Sequence, residues 1–174
     1  MPEGNPAATV TIDFSLELQT DPLGAQLDVS VPDAASDSAR QAFLDSAESA
    51  LVGSQGNLIS QTVGEAHDAL ASYASAQGGY AYDPVEDSFQ GVTVERSQRG
   101  LTIEWSWGHV AAGLWEFGVP PHTIRGDPLH FYWAAKDQWI QTDEVQWGSE
   151  TGGIPEARWV RDSLHWLRRE VAQT

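Results

Sequence analysis

The chain has 174 residues, with 25 acids against nine bases, a formal net charge of −16 and no cysteine. A single domain of that size buries roughly 70% of the surface its unfolded chain exposes, enough for a core without covalent staples. Disulfides and thiolate chemistry are excluded, the charge works against a phosphate-binding surface, and no run approaches the ~18 apolar residues of a membrane helix.

Only one of the nine bases, Lys136, is a lysine, and the acids are spread along the whole chain. Two readings follow: adaptation to a salt-saturated cytoplasm, where short acidic side chains keep a surface hydrated and salt screens their repulsion, or an acidic task. Near-absence of lysine favours the first. The opening Met1-Pro2-Glu3-Gly4-Asn5-Pro6 has neither the basic nor the apolar region of a signal peptide. Residues 1–8 read as a flexible arm and 9–174 as one domain.

In chain order, Val10, Ile12, Phe14, Leu16 and Leu18 alternate with polar residues, the period of a half-buried strand. Leu27, Val29 and Val31 repeat the pattern after a turn-like Asp21-Pro22-Leu23-Gly24, with Asp28 and Pro32 limiting this second strand to a short one. Asp33 is the expected N-cap of a helix reaching about Val52. After Gly53-Ser54-Gln55-Gly56, Asn57 caps another that runs through Ser75 to Gly78-Gly79. Two helices are favoured over one kinked helix. Val92 and Val94, the turn Ser97-Gln98-Arg99-Gly100, and Leu101, Ile103, Trp105 and Trp107 make a hairpin. A short helical or irregular piece, His109 to Trp115, leads into a loop at 119–128. A second hairpin follows from Leu129 to Trp147, turning near Ala135-Lys136-Asp137. Pro155 opens a final helix with Trp159 or Val160, Ser163 or Leu164, Leu167 and Val171 on its apolar stripe. The class is α+β: N-terminal strands, a helical segment, an antiparallel sheet of two hairpins and a C-terminal helix.

Catalytic signatures are missing from the sequence. No histidine has the His-Glu-x-x-His pairing of a zinc protease, and no Gly-x-Ser-x-Gly elbow is present. His122, between Pro121 and Thr123, is the best functional candidate among five histidines, with ordering of its loop as the simpler reading. A glycosidase-like carboxylate pair stays open as a minor reading. No cofactor and no metal is expected, and the chain is read as a non-enzyme.

All eight tryptophans fall after residue 100. They can be core alone, or core plus a subunit interface, which the arginine neighbours in Arg158-Trp159 and Trp166-Leu167-Arg168 suit. Trp139 and Ile140 are adjacent in a strand, so one faces away from the core.

The run Leu114-Trp115-Glu116-Phe117-Gly118-Val119-Pro120-Pro121-His122-Thr123-Ile124 resembles the neck or tail-completion proteins of long-tailed double-stranded DNA viruses, which join the portal side of the capsid to the tail. The order of elements is similar too: helices at 33–77, a hairpin at 89–107, Ala111-Ala112-Gly113 into Glu116-Phe117-Gly118, a loop, strands at 129–147, a loop at 148–157, and Arg158-Trp159-Val160 opening the last helix. The resemblance implies a virion protein at the head–tail junction, a self-associated ring, most simply a hexamer, that contacts other connector or tail proteins while DNA passes through its lumen without specific binding. The acidic, lysine-poor composition fits a virus of a halophilic archaeon. The interface or loop candidates are Trp115, Glu116, Phe117, Gly118, Pro121, His122, Trp139, Trp147, Arg158 and Trp159. A different class stays open, a small-ligand or carbohydrate-binding module using exposed tryptophans such as Trp139 and Trp147 as stacking platforms.

Overall fold

The computed structural model describes residues 11–17, 22–32, 35–54, 57–78 and 81–173, the first of these segments by its backbone alone. The proposed flexible arm at 1–8 and the Asp33 cap lie outside the described residues. The α+β class and the closing helix are as expected.

Two hairpins build one antiparallel sheet. Strands β1 (Thr11–Glu17) and β2 (Leu23–Ser30) form the first, β3 (Phe89–Arg96) and β4 (Gly100–Trp107) the second, in the order β1-β2-β4-β3. The partner of β3–β4 is therefore the N-terminal hairpin; the hairpin expected at 129–147 forms a sheet of its own. β2 is also longer than expected. Leu23 and Gly24, read as turn, pair with Trp107 and Ser106, and Asp28 lies on the polar face, accepting from Thr102 Oγ1 and Gln26 Nε2, each at 2.6 Å.

Period-two alternation puts Leu23, Ala25, Leu27 and Val29 of β2, with Leu101, Ile103, Trp105 and Trp107 of β4, on one buried face. Helices α1 (Asp37–Val52) and α2 (Leu58–Ala76) cover it with Leu44, Leu51, Ile59, Ala66 and Leu70. Ser36 caps α1 by accepting from Ala39 N, three residues later than Asp33 would have done. Asn57 caps α2 as expected, accepting from Ser60 N at 2.8 Å. A one-turn α3 (Asp83–Glu86) connects α2 to β3, and α4 (Val110–Phe117) follows β4, capped by the His109 side chain. The final helix α5 (Trp159–Val171) packs along α2 and buries Trp159, Val160, Ser163, Leu164 and Leu167. It begins four residues after Pro155, not at it.

β5 (His122–Trp133) and β6 (Gln138–Trp147) pair only with each other. A short 3-10 turn, Ala134–Lys136, and a left-handed Asp137 join them where the turn was expected. No residue of either strand is buried. Much of the loop expected at 119–128 is thus strand, and the hairpin is an arm standing out from the sheet-and-helix body.

Candidate functional site

The node from which the arm leaves is built around Glu116. Helix α5 has no Ser, Thr, Asp or Asn at its N-cap; Arg158 stands there in the left-handed region, φ 56°. The first-turn amides of α5 need acceptors from elsewhere. Glu116, fully buried at the end of α4, supplies them: Val160 N donates to Oε2 at 2.8 Å and Arg161 N to Oε1 at 3.2 Å. The Arg161 Nε also donates to Oε1 at 2.7 Å, while Nη2 reaches the Glu116 carbonyl and Glu156 Oε2, each at 2.9 Å. A carboxylate at the positive end of a helix, facing donors only, completes the cap that the local sequence lacks. Burial pushes the Glu116 carboxyl above its ordinary range, opposed by the Val160 amide, the Arg161 side chain and the Arg161 amide.

The next two residues extend the lock. Phe117 packs against the core with the Arg161 guanidinium 5.4 Å from its ring centre. Gly118 turns the chain at φ +70°, where a Cβ would come within 2.8 Å of Glu156 N and Ile154 O. Val119 and Ile154 then exchange backbone hydrogen bonds at 2.8 and 2.9 Å. Glu-Phe-Gly is accordingly a structural device: it caps one helix, ends another and presses the two ends of the arm's base together.

The candidate residues separate on this geometry. Glu116 and Trp159, expected in an interface or loop, are instead both 0% exposed and lie inside the body. Trp159 is core, its ring 4.7 Å from that of Trp107 and its indole N–H donating to the Ala112 carbonyl at 3.4 Å. Trp115 is half-buried, 6.4 Å ring to ring from Tyr73. Arg158 is exposed and pairs with Asp162 at 3.6 Å and Glu156 at 3.9 Å. Pro121 is exposed, and His122 opens β5 instead of lying in a loop, its ring 5.1 Å from that of Trp147.

Trp139 is 70% exposed and Trp133 42%, both at the far end of the arm. The register places Tyr132 opposite Trp139, 5.7 Å ring to ring, and Phe131 opposite Ile140. Directly opposite residues share a face and neighbours alternate, so the tip carries apolar groups on both faces. Lys136 Nζ sits 4.3 Å over the Trp133 ring.

Sequence reasoning missed two internal devices. One is the Glu116–Arg161 cap, whose signal was the missing N-cap residue before Trp159. The other is a relay running outward from the core, in which buried Trp107 donates from Nε1 to Nε2 of half-buried His67 at 2.9 Å while His67 Nδ1 lies 3.5 Å from Glu86 Oε1. No sequence motif marks it. Among the described residues no group of three or more His, Asp or Glu is placed to hold a metal ion, and no helix is long and apolar enough to cross a membrane. No family model matches the chain, and no curated protein or solved structure matches it.

Proposed function

We propose that this chain is a structural subunit of the neck of a long-tailed double-stranded DNA virus, part of a ring, most simply six-fold, between the capsid portal complex and the tail. The observation that carries the reading is the arm. Two strands of twelve and ten residues leave the body with no side chain buried and apolar groups on both faces. An isolated two-stranded ribbon is marginal in water, and exposed aromatics around open strand edges are the surface of an assembly part awaiting a neighbour. The Glu116 lock supports the same reading, because a protruding arm transmits position only if its base is fixed. A net charge of −16 suits a lumen that DNA crosses without sticking.

The charge also suits molar salt. The Debye length is ~30 Å at 0.01 M and ~3 Å at 1 M, so repulsion between acidic subunits is screened only in the latter. In molar potassium chloride the full chain should form rings visible by negative-stain microscopy, alone or on adding portal or tail protein, and lose them on dilution to tens of millimolar salt. A chain that stays monomeric under both conditions and joins no particle would overturn the reading. The carbohydrate-binding alternative draws on the same Trp139, but its ring is tilted by 60° to Tyr132 and 50° to His130, an arrangement short of a flat stacking platform.

A further inference from the structure

Two open strand edges in this chain fit one another. β3 is an outer strand of the four-stranded sheet, and across residues 92–96 it runs in unbroken register with β4. Among the described residues nothing pairs with its other side. Val92 and Val94, 39% and 38% exposed, open onto a groove of about 410 Å3 that Val52, Val63 and Phe89 also line. At the end of this edge Arg96 meets Asp45 at 2.6 Å and Glu48 at 2.9 Å, two carboxylates on one guanidinium, so the spot keeps a net negative charge.

The complementary edge is on the arm. β5 is broken by a bulge between Arg125 and Leu129 that contains Pro128, which has no N–H to donate. Bulges and prolines are how strands blunt their edges. β6 has neither, and its residues 138–142, Gln-Trp-Ile-Gln-Thr, are uncharged, with Trp139 the most exposed large apolar residue described. Lys136, two residues before this stretch, pairs with no carboxylate among the described residues.

We propose that residues 138–142 of one copy add to the β3 edge of a second copy as an antiparallel fifth strand, placing Ile140 across from Val94 in the valine groove, Trp139 over the opposite face and Lys136 beside Asp45 and Glu48. The antiparallel sense follows from charge. It sets Gln138 across from Arg96, which carries Lys136 toward the two carboxylates; the parallel sense would carry it away. Strand addition satisfies both edges at once, with main-chain hydrogen bonds for affinity and a side-chain pocket for register. A second copy is the occupant because both halves of the joint, the uncovered edge and the uncovered ribbon, lie on this one chain. The two surfaces differ, so the contact is head-to-tail and propagates into a ring where the rotation closes. This contact rests on the ring reading above and specifies its interface.

The chain has no cysteine, so site-specific cross-linking tests the contact directly. In the proposed register Thr93 lies across from Gln141. Full-length Thr93→Cys and Gln141→Cys proteins, mixed in molar potassium chloride and treated with a short bis-maleimide, should give a mixed dimer whose linked peptides contain residues 93 and 141. Val94→Lys and Ile140→Ala should each weaken self-association about thirtyfold in sedimentation, the loss expected of an interface anchor, with the far-UV circular dichroism of the native chain. If Val94→Lys fails to fold, Ile140→Ala carries the test, since no residue of the arm's strands is buried. Rings that form without the 93–141 link, and that both variants leave intact, overturn this contact and spare the ring reading. A chain monomeric in molar salt overturns both.

Discussion

Tryptophan serves two opposite purposes in this protein. In the body, Trp105, Trp107 and Trp159 are closed off from solvent, packed between the sheet and α2 and α5, and the indole N–H groups of Trp107 and Trp159 each have an acceptor. On the arm, Trp133 and Trp139 stand in solvent, touching a lysine and neighbouring rings but no core. Buried aromatics of the first kind hold a fold together; exposed ones of the second kind contribute little until something covers them. Fold and assembly are thus assigned to separate regions, and the Glu116 node is where the two meet.

Single substitutions test that separation. Trp159→Ala removes a fully buried ring and should destabilise the chain by about 3–5 kcal/mol, a fall in Tm of about 10 °C for a domain of this length. Trp139→Ala should change monomer stability by no more than ~0.5 kcal/mol. Thermal melts of the two variants at a salt concentration that keeps both monomeric would check this. Equal losses would mean that the arm is part of the folding unit after all.

The node should give an intermediate effect. Glu116→Gln keeps the shape but turns one acceptor atom into a donor facing the Val160 amide or the Arg161 donors. A buried group left mispaired in this way costs about 2–3 kcal/mol. Arg161→Ala should cost less than Glu116→Gln, and the double variant less than the two together, because both remove the same contacts. Hydrogen exchange should localise the damage. Amides at 119 and 154, bonded across the base of the arm, should lose protection along with the first turn of α5. Protection unchanged at 119 and 154 would mean that the arm is fixed by something other than the cap.

How far this was legible in the sequence depended on whether the signal was local. Alternation of Leu101, Ile103, Trp105 and Trp107 was enough to place β4, and Asn57 was enough to start α2, because strand period and helix cap are read from adjacent residues. The first half of β5, from His122 to Pro128, was hidden because Gly126-Asp127-Pro128 has a loop's composition; the strand absorbs it as a bulge. The start of α5 was misplaced because Pro155 resembles a first helical residue. In the folded chain Ala157 N and Arg158 N donate to the carbonyls of Trp115 and Glu116 at 2.7 and 3.3 Å, which keeps this stretch outside the helix until the cap is made from α4. For a related reason Trp159 stays ambiguous in the sequence, a candidate both for the apolar stripe and for an interface. Its arginine neighbours suited one, and only the packing of α5 on Trp107 and Ala112 reveals that the ring points inward.

The smallest expected effect is a pH dependence inside the body. Trp107 donates to His67 Nε2, so that nitrogen must be bare and the ring proton must sit on Nδ1, toward Glu86. Protonating the ring would set two donors against each other. Burial holds the His67 imidazole below its ordinary 6.5, opposed by Glu86 and Asp68. As pH falls below 6.5 the unfolded chain therefore takes up this proton before the folded one, and stability declines until the lowered folded value is passed. Above 6.5 the contribution is present in full. Losing the hydrogen bond sets its scale at about 1 kcal/mol. The difference between the native chain and His67→Gln isolates the histidine, because Gln keeps an acceptor for Trp107 and does not titrate. Denaturant melts from pH 7.5 downward should show native stability falling relative to His67→Gln from 6.5, with the two curves parallel above it. Parallel curves throughout would mean that the relay tolerates a charged ring, and that the buried body is less sensitive to its one half-buried histidine on α2 than the geometry requires.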